Sequence, residues 1–212
     1  MSAHTPKKTC TEPRIQVVHS LSALFNADFG PANCVLYPRT LTGDFNALAE
    51  NFHELYADDT FPRFLGHKDL KALLPRLKAE AVVAAEHVIS DMKDLRRFTK
   101  SDPSLRVIGR HGYSEINYRW HADLWSTPVG SPQSGRILCA YNLPVTDWVR
   151  NEDATYLEDN IVYKLKPGAE VLTFRPGDMF RISCRDNARV VEPFIHRAPA
   201  APSKVLRLLL TD

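Results

Sequence analysis

The sequence predicts an α+β protein in which N-terminal helices support a C-terminal core of β-strands. Up to about residue 103, apolar residues recur every three or four positions, which is the period of an amphipathic helix. After that point apolar and polar residues alternate in short runs that proline and glycine turns separate, as they do in strands. About six to eight such strands predict an antiparallel sandwich or barrel with helices packed on one sheet.

Length and composition exclude several classes of protein. The 212 residues suffice for one domain with a sizeable core. The 27 Lys and Arg nearly balance the 25 Asp and Glu, so we expect no nucleic-acid partner. The sequence contains no run of about 20 apolar residues, so we expect no membrane partner. The four cysteines show no C-x-x-C spacing, which predicts a cytoplasmic protein: Cys10, Cys34, Cys139 and Cys184.

The N-terminal half predicts a tail and two helices. Residues 1–14 are polar and contain two prolines, which indicates a disordered tail before a single domain over residues 15–212. The stretch Leu41–Tyr56 has apolar residues at helical spacing, and Asp44 can cap its start. The stretch Leu70–Phe98 predicts a longer helix, with Pro75 in its first turn. Residues 15–103 are therefore predicted to be a mainly helical support layer.

Residues 104–212 predict the strand-rich core. Turn residues such as Pro167-Gly168 and Arg175-Pro176-Gly177-Asp178 separate the runs of alternating residues. The predicted strands are Arg136–Tyr141, Ile161–Lys164, Glu170–Phe174, Met179–Cys184, Val190–Ile195 and Val205–Leu210.

A seventh run, Ser114–Trp125, carries the residues with the most chemistry. If it is a strand, His121 and Asp123 project from the same face, because residues two apart share a face. Asn117 and Arg119 would lie on that face too. His196 follows another run of strand-like sequence, and two His with one carboxylate form the facial triad that binds non-haem Fe(II). The sequence therefore predicts a metal site at His121, Asp123 and His196.

The His-x-Asp spacing is weak evidence by itself. With eight His and 25 acidic residues, about one such pair is expected by chance. A second pair is present at His67 and Asp69, where Asp69 is better explained as the N-cap of the following helix and His67 as a loop residue. A structural His–Asp hydrogen bond in the core remains the alternative for His121 and Asp123.

Arg207 offers a positive charge for the same site. Fe²⁺ with one bound carboxylate carries a single positive charge, and a 2-oxoacid such as 2-oxoglutarate brings two negative charges, so a further cation is needed. Alternation over Val205–Leu210 places Leu206, Leu208 and Leu210 on one face and Arg207 on the other among apolar neighbours. A partly buried guanidinium can bind a carboxylate through two hydrogen bonds. An internal salt bridge to Asp or Glu is the alternative.

These motifs resemble a known family. The order His121-x-Asp123, the Pro176-Gly177-Asp178 turn, His196 and Arg207 resembles the double-stranded β-helix of Fe(II)/2-oxoglutarate-dependent dioxygenases, over roughly residues 110–212. The segments WHADLWSTP, RILCAYNLPVTDWV and IHRAP...VLRLLLTD are similar to a bacterial domain-of-unknown-function family with a His-x-Asp, a T-x-W and a terminal H-R-[SA]-P...R-L-L-L-T.

The resemblance implies a jelly-roll or cupin-like fold and an oxygenase. It implies that His121, Asp123 and His196 bind Fe(II), and that Arg207 binds 2-oxoglutarate, which is converted to succinate and CO₂ as a small molecule is hydroxylated. One position departs from the family pattern. Many of these dioxygenases have Ser or Thr two residues after the anchoring Arg, whereas this chain has Leu209.

Some assignments stay open at this point. Asn117, Arg119 and Tyr141 are further candidates for the lining of the cosubstrate pocket, although ordinary sheet packing would explain them as well. The same two His and one Asp also suit a catalytic zinc ion, and hence a hydrolase or lyase. A non-enzymatic cupin-like binding module is the third alternative. The oligomeric state is open, and a dimer is compatible with the sequence.

Overall fold

The computed structural model describes residues 14–56, 63–99, 101–109, 115–124, 135–157, 162–185, 191–199 and 206–212. Over these ranges the chain forms two β-sheets and a set of helices, so the predicted α+β class is confirmed. Of the predicted N-terminal tail only Arg14 is described, and its guanidinium forms an ion pair with Glu192 at 2.6 Å. The rest of the tail lies outside the described residues.

The larger sheet has seven strands and runs through the middle of the fold. Its parallel pair lies at one edge, and all other neighbours are antiparallel. In spatial order the strands are β1 (Ile15–Val17), β2 (Cys34–Tyr37), β11 (Met179–Ile182), β6 (Arg136–Ala140), β13 (Arg207–Thr211), β4 (Ser104–Ile108) and β3 (Arg63–Gly66). The segment predicted as a mainly helical support layer thus also contributes β1, β2 and β3 to this sheet.

The smaller sheet has six short antiparallel strands. In spatial order they are β10 (Leu172–Thr173), β7 (Asp147–Trp148), β12 (His196–Arg197), β5 (Trp120–His121), β9 (Val162–Leu165) and β8 (Ala154–Tyr156). The predicted strand Val190–Ile195 is wrong in its described part, residues 191–195, because the strand here is only the two residues of β12. The two histidines of the predicted site therefore lie on neighbouring strands, β5 and β12.

Five α-helices complete the described elements: α1 (Leu21–Asn26), α2 (Phe45–Leu55), α3 (His67–Leu73), α4 (Ala79–Phe98) and α5 (Glu115–Tyr118). The predicted helix over Leu41–Tyr56 corresponds to α2, which is shorter at its start. Its predicted cap is confirmed, because the Asp44 carboxylate accepts hydrogen bonds from the backbone of Asn46 and Ala47 at 3.0 and 2.9 Å.

The prediction of one helix over Leu70–Phe98 is wrong. The chain forms α3, then a 3₁₀ turn over Leu74–Arg76, and only then α4. Pro75 has no backbone N–H to donate to the carbonyl of Lys71, so the α-helical ladder stops there. Pro75 thus lies in the break between two helices and not in the first turn of the long one.

The cap at His67 and Asp69 also differs from the prediction. Helix α3 begins at His67, which is therefore a helical residue and not part of a loop. Asp69 lies one turn inside the helix, where its carboxylate accepts a hydrogen bond from the backbone of Gly66 at 2.9 Å. Asp69 therefore has a local role in capping the helix, as the sequence predicted, although from inside the helix. The His67–Asp69 pair is not part of the metal site.

The central strands of the seven-stranded sheet are buried on both faces. On β13, Leu208 and Leu210 pack in the core shared with the helices, whereas Leu209 packs in the core between the two sheets. This confirms the alternation predicted for the last strand, and it places Arg207 between the sheets. The described cysteines, Cys34, Cys139 and Cys184, are buried thiols. Within the described ranges, no helix has both the length and the apolar character that crossing a membrane requires.

Candidate metal centre

The segment that leads to His121 begins with a short helix and not with the predicted strand. The described part of Ser114–Trp125 starts with the helix α5, and the backbone becomes extended only at β5. Arg119 pairs with Glu115, four residues earlier, which is the spacing of one helical turn. The predicted alternation from Asn117 to His121 is therefore wrong, although His121 and Asp123 still converge.

Strand pairing brings the second histidine to the first. His121 on β5 and His196 on β12 are direct partners in the antiparallel register. Side chains of directly opposed residues project from the same face of a sheet and touch. The two imidazole rings accordingly lie with their centroids 4.6 Å apart.

The three predicted ligands form one cluster with their donor atoms facing inward. The Nε2 atoms of His121 and His196 each lie 3.8 Å from an oxygen of the Asp123 carboxylate. One donor atom from each residue lies within 4.8 Å of the other two. Metal–ligand bonds of about 2.0–2.2 Å to a common ion would require only a small contraction of this cluster. His121, Asp123 and His196 could therefore hold a metal ion.

Backbone carbonyls orient both rings. The Nδ1 atom of His121 lies 2.8 Å from the carbonyl oxygen of Arg119, and that of His196 lies 3.3 Å from the carbonyl oxygen of Phe194. A proton on Nδ1 that is donated to a carbonyl leaves the Nε2 lone pair available, as in many metal-binding histidines. The rings are thus held with Nε2 toward Asp123.

Electrostatics favour the protonation states that ligation requires. Burial alone would raise the pKa of Asp123, but His196, Arg136, His121 and Arg106 outweigh it and hold that pKa below its usual value. Burial lowers the pKa of His196 to about 4, with only partial compensation by Asp123. At neutral pH the site therefore presents a carboxylate anion and, at His196, a neutral imidazole.

The cluster lies in a cavity of about 50 Å³ between the two sheets. The smaller sheet and its connections supply His121, Asp123 and His196, and the inner face of the larger sheet supplies the opposite wall. The lining residues are Arg106, Asn117, His121, Asp123, Arg136, Leu138, Thr146, His196, Arg197, Ala198, Arg207 and Leu209.

Arg207 lines this cavity as predicted. Its side chain is buried on β13, and its Nη2 donates a hydrogen bond of 2.8 Å to the hydroxyl of Thr146. Leu209 lines the cavity as well. The dioxygenase pattern has Ser or Thr at this position, so the hydroxyl of that pattern is absent here. Thr146 supplies a hydroxyl next to the guanidinium from another part of the chain.

The three weaker candidates have different outcomes. Asn117 lines the cavity. Arg119 does not, because its exposed side chain turns to Glu115 on α5. Tyr141 lies on the other face of the large sheet, where its hydroxyl donates to Asp91 at 2.6 Å and its ring stacks on Phe45. Arg119 and Tyr141 are therefore corrections to the predicted pocket.

Sequence reasoning missed three arginines of the cavity wall. Arg106 is flanked by the apolar Leu105 and Val107 in the same manner as Arg207, so the same pattern could have identified it, whereas Arg136 follows Gly135 at the start of its strand and lacks that pattern. Arg197 is adjacent to His196 and forms an ion pair with Asp147 at 3.1 Å. Thr146 is the threonine of the T-x-W motif in the family resemblance, but nothing in the sequence showed that the fold brings it to Arg207.

Comparison with known proteins adds no assignment. No protein-family model matches the chain, and no curated protein matches it. The functional conclusions below therefore depend on the residues of this chain.

Proposed function

We propose that the protein is an Fe(II)/2-oxoglutarate-dependent oxygenase that hydroxylates a small molecule, built on a double-stranded β-helix core. Two facing sheets with a polar cavity between them support the proposed fold. The buried thiols of the described cysteines suit the reducing cytoplasm, where we expect the protein to act.

One observation above all supports the proposal: three residues that could hold a metal ion and a buried arginine line one cavity. The donor atoms of His121, Asp123 and His196 lie on one side of it, and Arg207 lies on the wall formed by the larger sheet. A triad of two His and one carboxylate leaves three positions of an octahedral ion open. 2-Oxoglutarate would occupy two of these positions with its 1-carboxylate and 2-keto oxygen and would need a cation for its far carboxylate, and O₂ would take the third.

Each residue would have a definite role. His121, Asp123 and His196 would hold the iron, while Arg207, supported by Thr146, would bind the distal carboxylate of 2-oxoglutarate through charge-assisted hydrogen bonds. Iron, 2-oxoglutarate and O₂ together supply the oxidation of a C–H bond to C–OH, with succinate and CO₂ as the other products. The apolar side chains of Leu138 and Leu209 would help to exclude water from the cavity.

Zinc is the second candidate for the metal. The same three donors suit Zn²⁺ with an activated water in the fourth position, which would make the protein a hydrolase or lyase. Arg207 favours the oxygenase, because a zinc-bound water does not require a guanidinium on the opposite wall. A non-enzymatic cupin-like module that binds a metal or another ligand is the third candidate.

Turnover of 2-oxoglutarate separates these candidates. The purified protein is incubated under air with Fe(II), ascorbate and 2-oxoglutarate, and succinate is measured. We expect succinate from the wild type, none from His121→Ala, and wild-type amounts from His53→Ala, which removes an exposed histidine of α2. Tight zinc binding at the triad without succinate would contradict the oxygenase and favour the hydrolase or lyase. Absence of any metal binding would contradict both.

A further inference from the structure

We infer that Arg136 is a positioning residue of the metal site, which holds the Asp123 carboxylate in place for the ion through an ion pair across the cavity. The inference deepens the proposed function and rests on the part of it that makes His121, Asp123 and His196 metal ligands. It applies to iron and to zinc alike, because both ions would use the same carboxylate. Side chains that orient metal ligands without touching the ion commonly contribute about tenfold to a hundredfold to metal affinity.

Asp123 is the only one of the three proposed ligands that lies outside a strand. His121 and His196 are on β5 and β12, and a backbone carbonyl orients each ring. Asp123 follows β5 by two residues, and its own carbonyl oxygen accepts a hydrogen bond of 2.8 Å from the backbone N–H of Arg185. That bond fixes the main chain at Asp123, but it does not set the direction of the carboxylate.

Arg136 supplies the nearest charged contact to this carboxylate in the described part of the chain. Its Nη1 lies 3.3 Å from Oδ2 of Asp123, whereas the Nε2 atoms of His121 and His196 lie 3.8 Å from the carboxylate oxygens. The Asp123 side chain is only 13% exposed, so water competes little with this ion pair. The guanidinium thus restricts the carboxylate to an orientation in which it also faces both imidazoles.

The larger sheet holds Arg136 itself in place. Arg136 begins β6, between β11 and β13, and its Nε donates a hydrogen bond of 3.4 Å to the hydroxyl of Thr211, a buried residue of β13. The preceding Gly135 packs so closely that an added Cβ would lie 2.7 Å from the carbonyl oxygen of Ile182. A ligand in a connection between strands is therefore supported by a side chain from a tightly packed sheet.

The positive charge of Arg136 allows its role to be tested by the sign of an effect. A guanidinium beside a divalent cation repels it, so charge alone predicts that removal of the guanidinium strengthens metal binding. A positioning role predicts the opposite, because the Asp123 carboxylate loses the contact that orients it and must be ordered when the ion binds.

The affinity for Zn(II), measured at pH 7 by competition with a chromophoric chelator, tests the inference without any turnover. We expect Arg136→Met to weaken Zn(II) binding about tenfold to a hundredfold. Arg136→Lys keeps a charged donor and should recover part of the loss, and Arg136→Gln, which keeps only a polar group, should lie between the two. Arg97→Met is the matched control and should bind as the wild type does, since Arg97 is an exposed residue at the end of α4 that pairs with Asp94.

A double-mutant cycle separates positioning from general damage to the fold. In protein that already carries Asp123→Asn the ligand carboxylate is absent, so we expect Arg136→Met to cause no further loss of Zn(II) affinity. A merely structural role of Arg136 would weaken binding by the same factor in both backgrounds. Far-UV circular dichroism of the metal-free proteins confirms that each variant is folded. If Arg136→Met does not fold, the cycle is carried out with Arg136→Gln.

Different results contradict the two proposals. If the wild type binds no divalent metal, the metal site is wrong and both proposals fail. If the wild type binds Zn(II) and Arg136→Met binds it as tightly or more tightly, only the inference about Arg136 is overturned. Equal losses with and without Asp123→Asn overturn it as well, because Arg136 then supports the fold and not the carboxylate. Zn(II) binding that depends on Arg136, without succinate from the iron-loaded protein, supports the inference and contradicts the oxygenase.

Discussion

Two buried polar clusters lie on opposite faces of the seven-stranded sheet, and they are built in different ways. On the helix side, Arg39 donates two hydrogen bonds of 2.6 Å to the Asp91 carboxylate, and Tyr141 donates a third of 2.6 Å. We call Arg39, Asp91 and Tyr141 the helix-side cluster. On the other face, the Nε2 atoms of His121 and His196 stay 3.8 Å from the Asp123 carboxylate.

The difference separates polar groups that satisfy one another from a cluster that could hold a metal ion. In the helix-side cluster, the donors and acceptors satisfy each other at hydrogen-bond distance, and nothing further is needed. In the metal site, the donor atoms converge without closing on one another, which is the arrangement that a shared ion requires. Strand β6 contributes to both environments, because Arg136 faces the metal site and Cys139 faces the helices.

The largest expected effect comes from breaking the helix-side cluster. Asp91→Ala leaves the buried guanidinium of Arg39 without its carboxylate, and removing one partner of a buried ion pair costs about 3–5 kcal/mol. We expect the free energy of unfolding in urea to fall by that amount at pH 7. The folded fraction should still bind one metal ion with wild-type affinity, because the metal site lies on the other face of the sheet.

Asp94→Ala is the matched control on the same helix. Asp94 forms an ion pair with Arg97, whose side chain is 74% exposed, so we expect its loss to cost less than about 1 kcal/mol. Equal destabilisation by the two variants would contradict the structural role of the helix-side cluster. Loss of metal binding in folded Asp91→Ala would contradict the separation of the two clusters.

Local patterns in the sequence predicted the elements with one clear face. The start of α2 follows from a capping carboxylate before an amphipathic stretch, and Asp44 indeed caps it. The alternation around Arg207 predicted that Leu208 and Leu210 lie on one face of the last strand and Arg207 on the other, and the structure adds that the leucine face meets the helices. His121, Asp123 and His196 were predicted as one site because ligand chemistry restricts the choice to a few residue types.

Other features depend on long-range packing that local patterns do not carry. Buried apolar residues lie on both faces of β6, so alternation could not show that Tyr141, which follows this strand, turns toward the helices and away from the cavity. The short α5 alternates polar and apolar residues much as a strand does. The direct pairing of His121 with His196 arises from the sheet topology, which no segment of sequence reveals alone.

The next effect in size is a pH dependence that belongs to the metal site. Burial lowers the pKa of His196 from 6.5 to about 4 in the folded protein. Between these values the unfolded chain binds a proton that the folded protein does not bind, so stability falls as the pH is lowered through this window. The loss amounts to about 3 kcal/mol at most, at 1.36 kcal/mol per pKa unit. Urea unfolding of the metal-free protein from pH 7 to pH 4 measures it.

His196→Gln isolates this contribution, because glutamine does not titrate. We expect the stability of the variant to fall less steeply between pH 6.5 and 4 than that of the wild type. His87, whose pKa burial also lowers, is present in both proteins and cancels in the difference. Parallel curves for the two proteins would show that His196 keeps an ordinary pKa. A saturating divalent metal should flatten the wild-type curve down to the pH at which the ion is released.

The smallest expected effect concerns the hydroxyl next to Arg207. Thr146→Val keeps the shape of the side chain and removes the acceptor of the 2.8 Å hydrogen bond from Arg207, which then loses support within the cavity. We expect the affinity for 2-oxoglutarate to fall about threefold to tenfold, or roughly 1 kcal/mol, with the affinity for Zn(II) unchanged. Thr155→Val, on the exposed strand β8, should leave both affinities at wild-type values. An unchanged 2-oxoglutarate affinity in Thr146→Val would show that this hydroxyl does not support Arg207 in binding the cosubstrate. If the same variant lost metal binding instead, Thr146 would contribute to the metal site. The three metal ligands and Arg207 with Thr146 would then not be separate parts of the cavity.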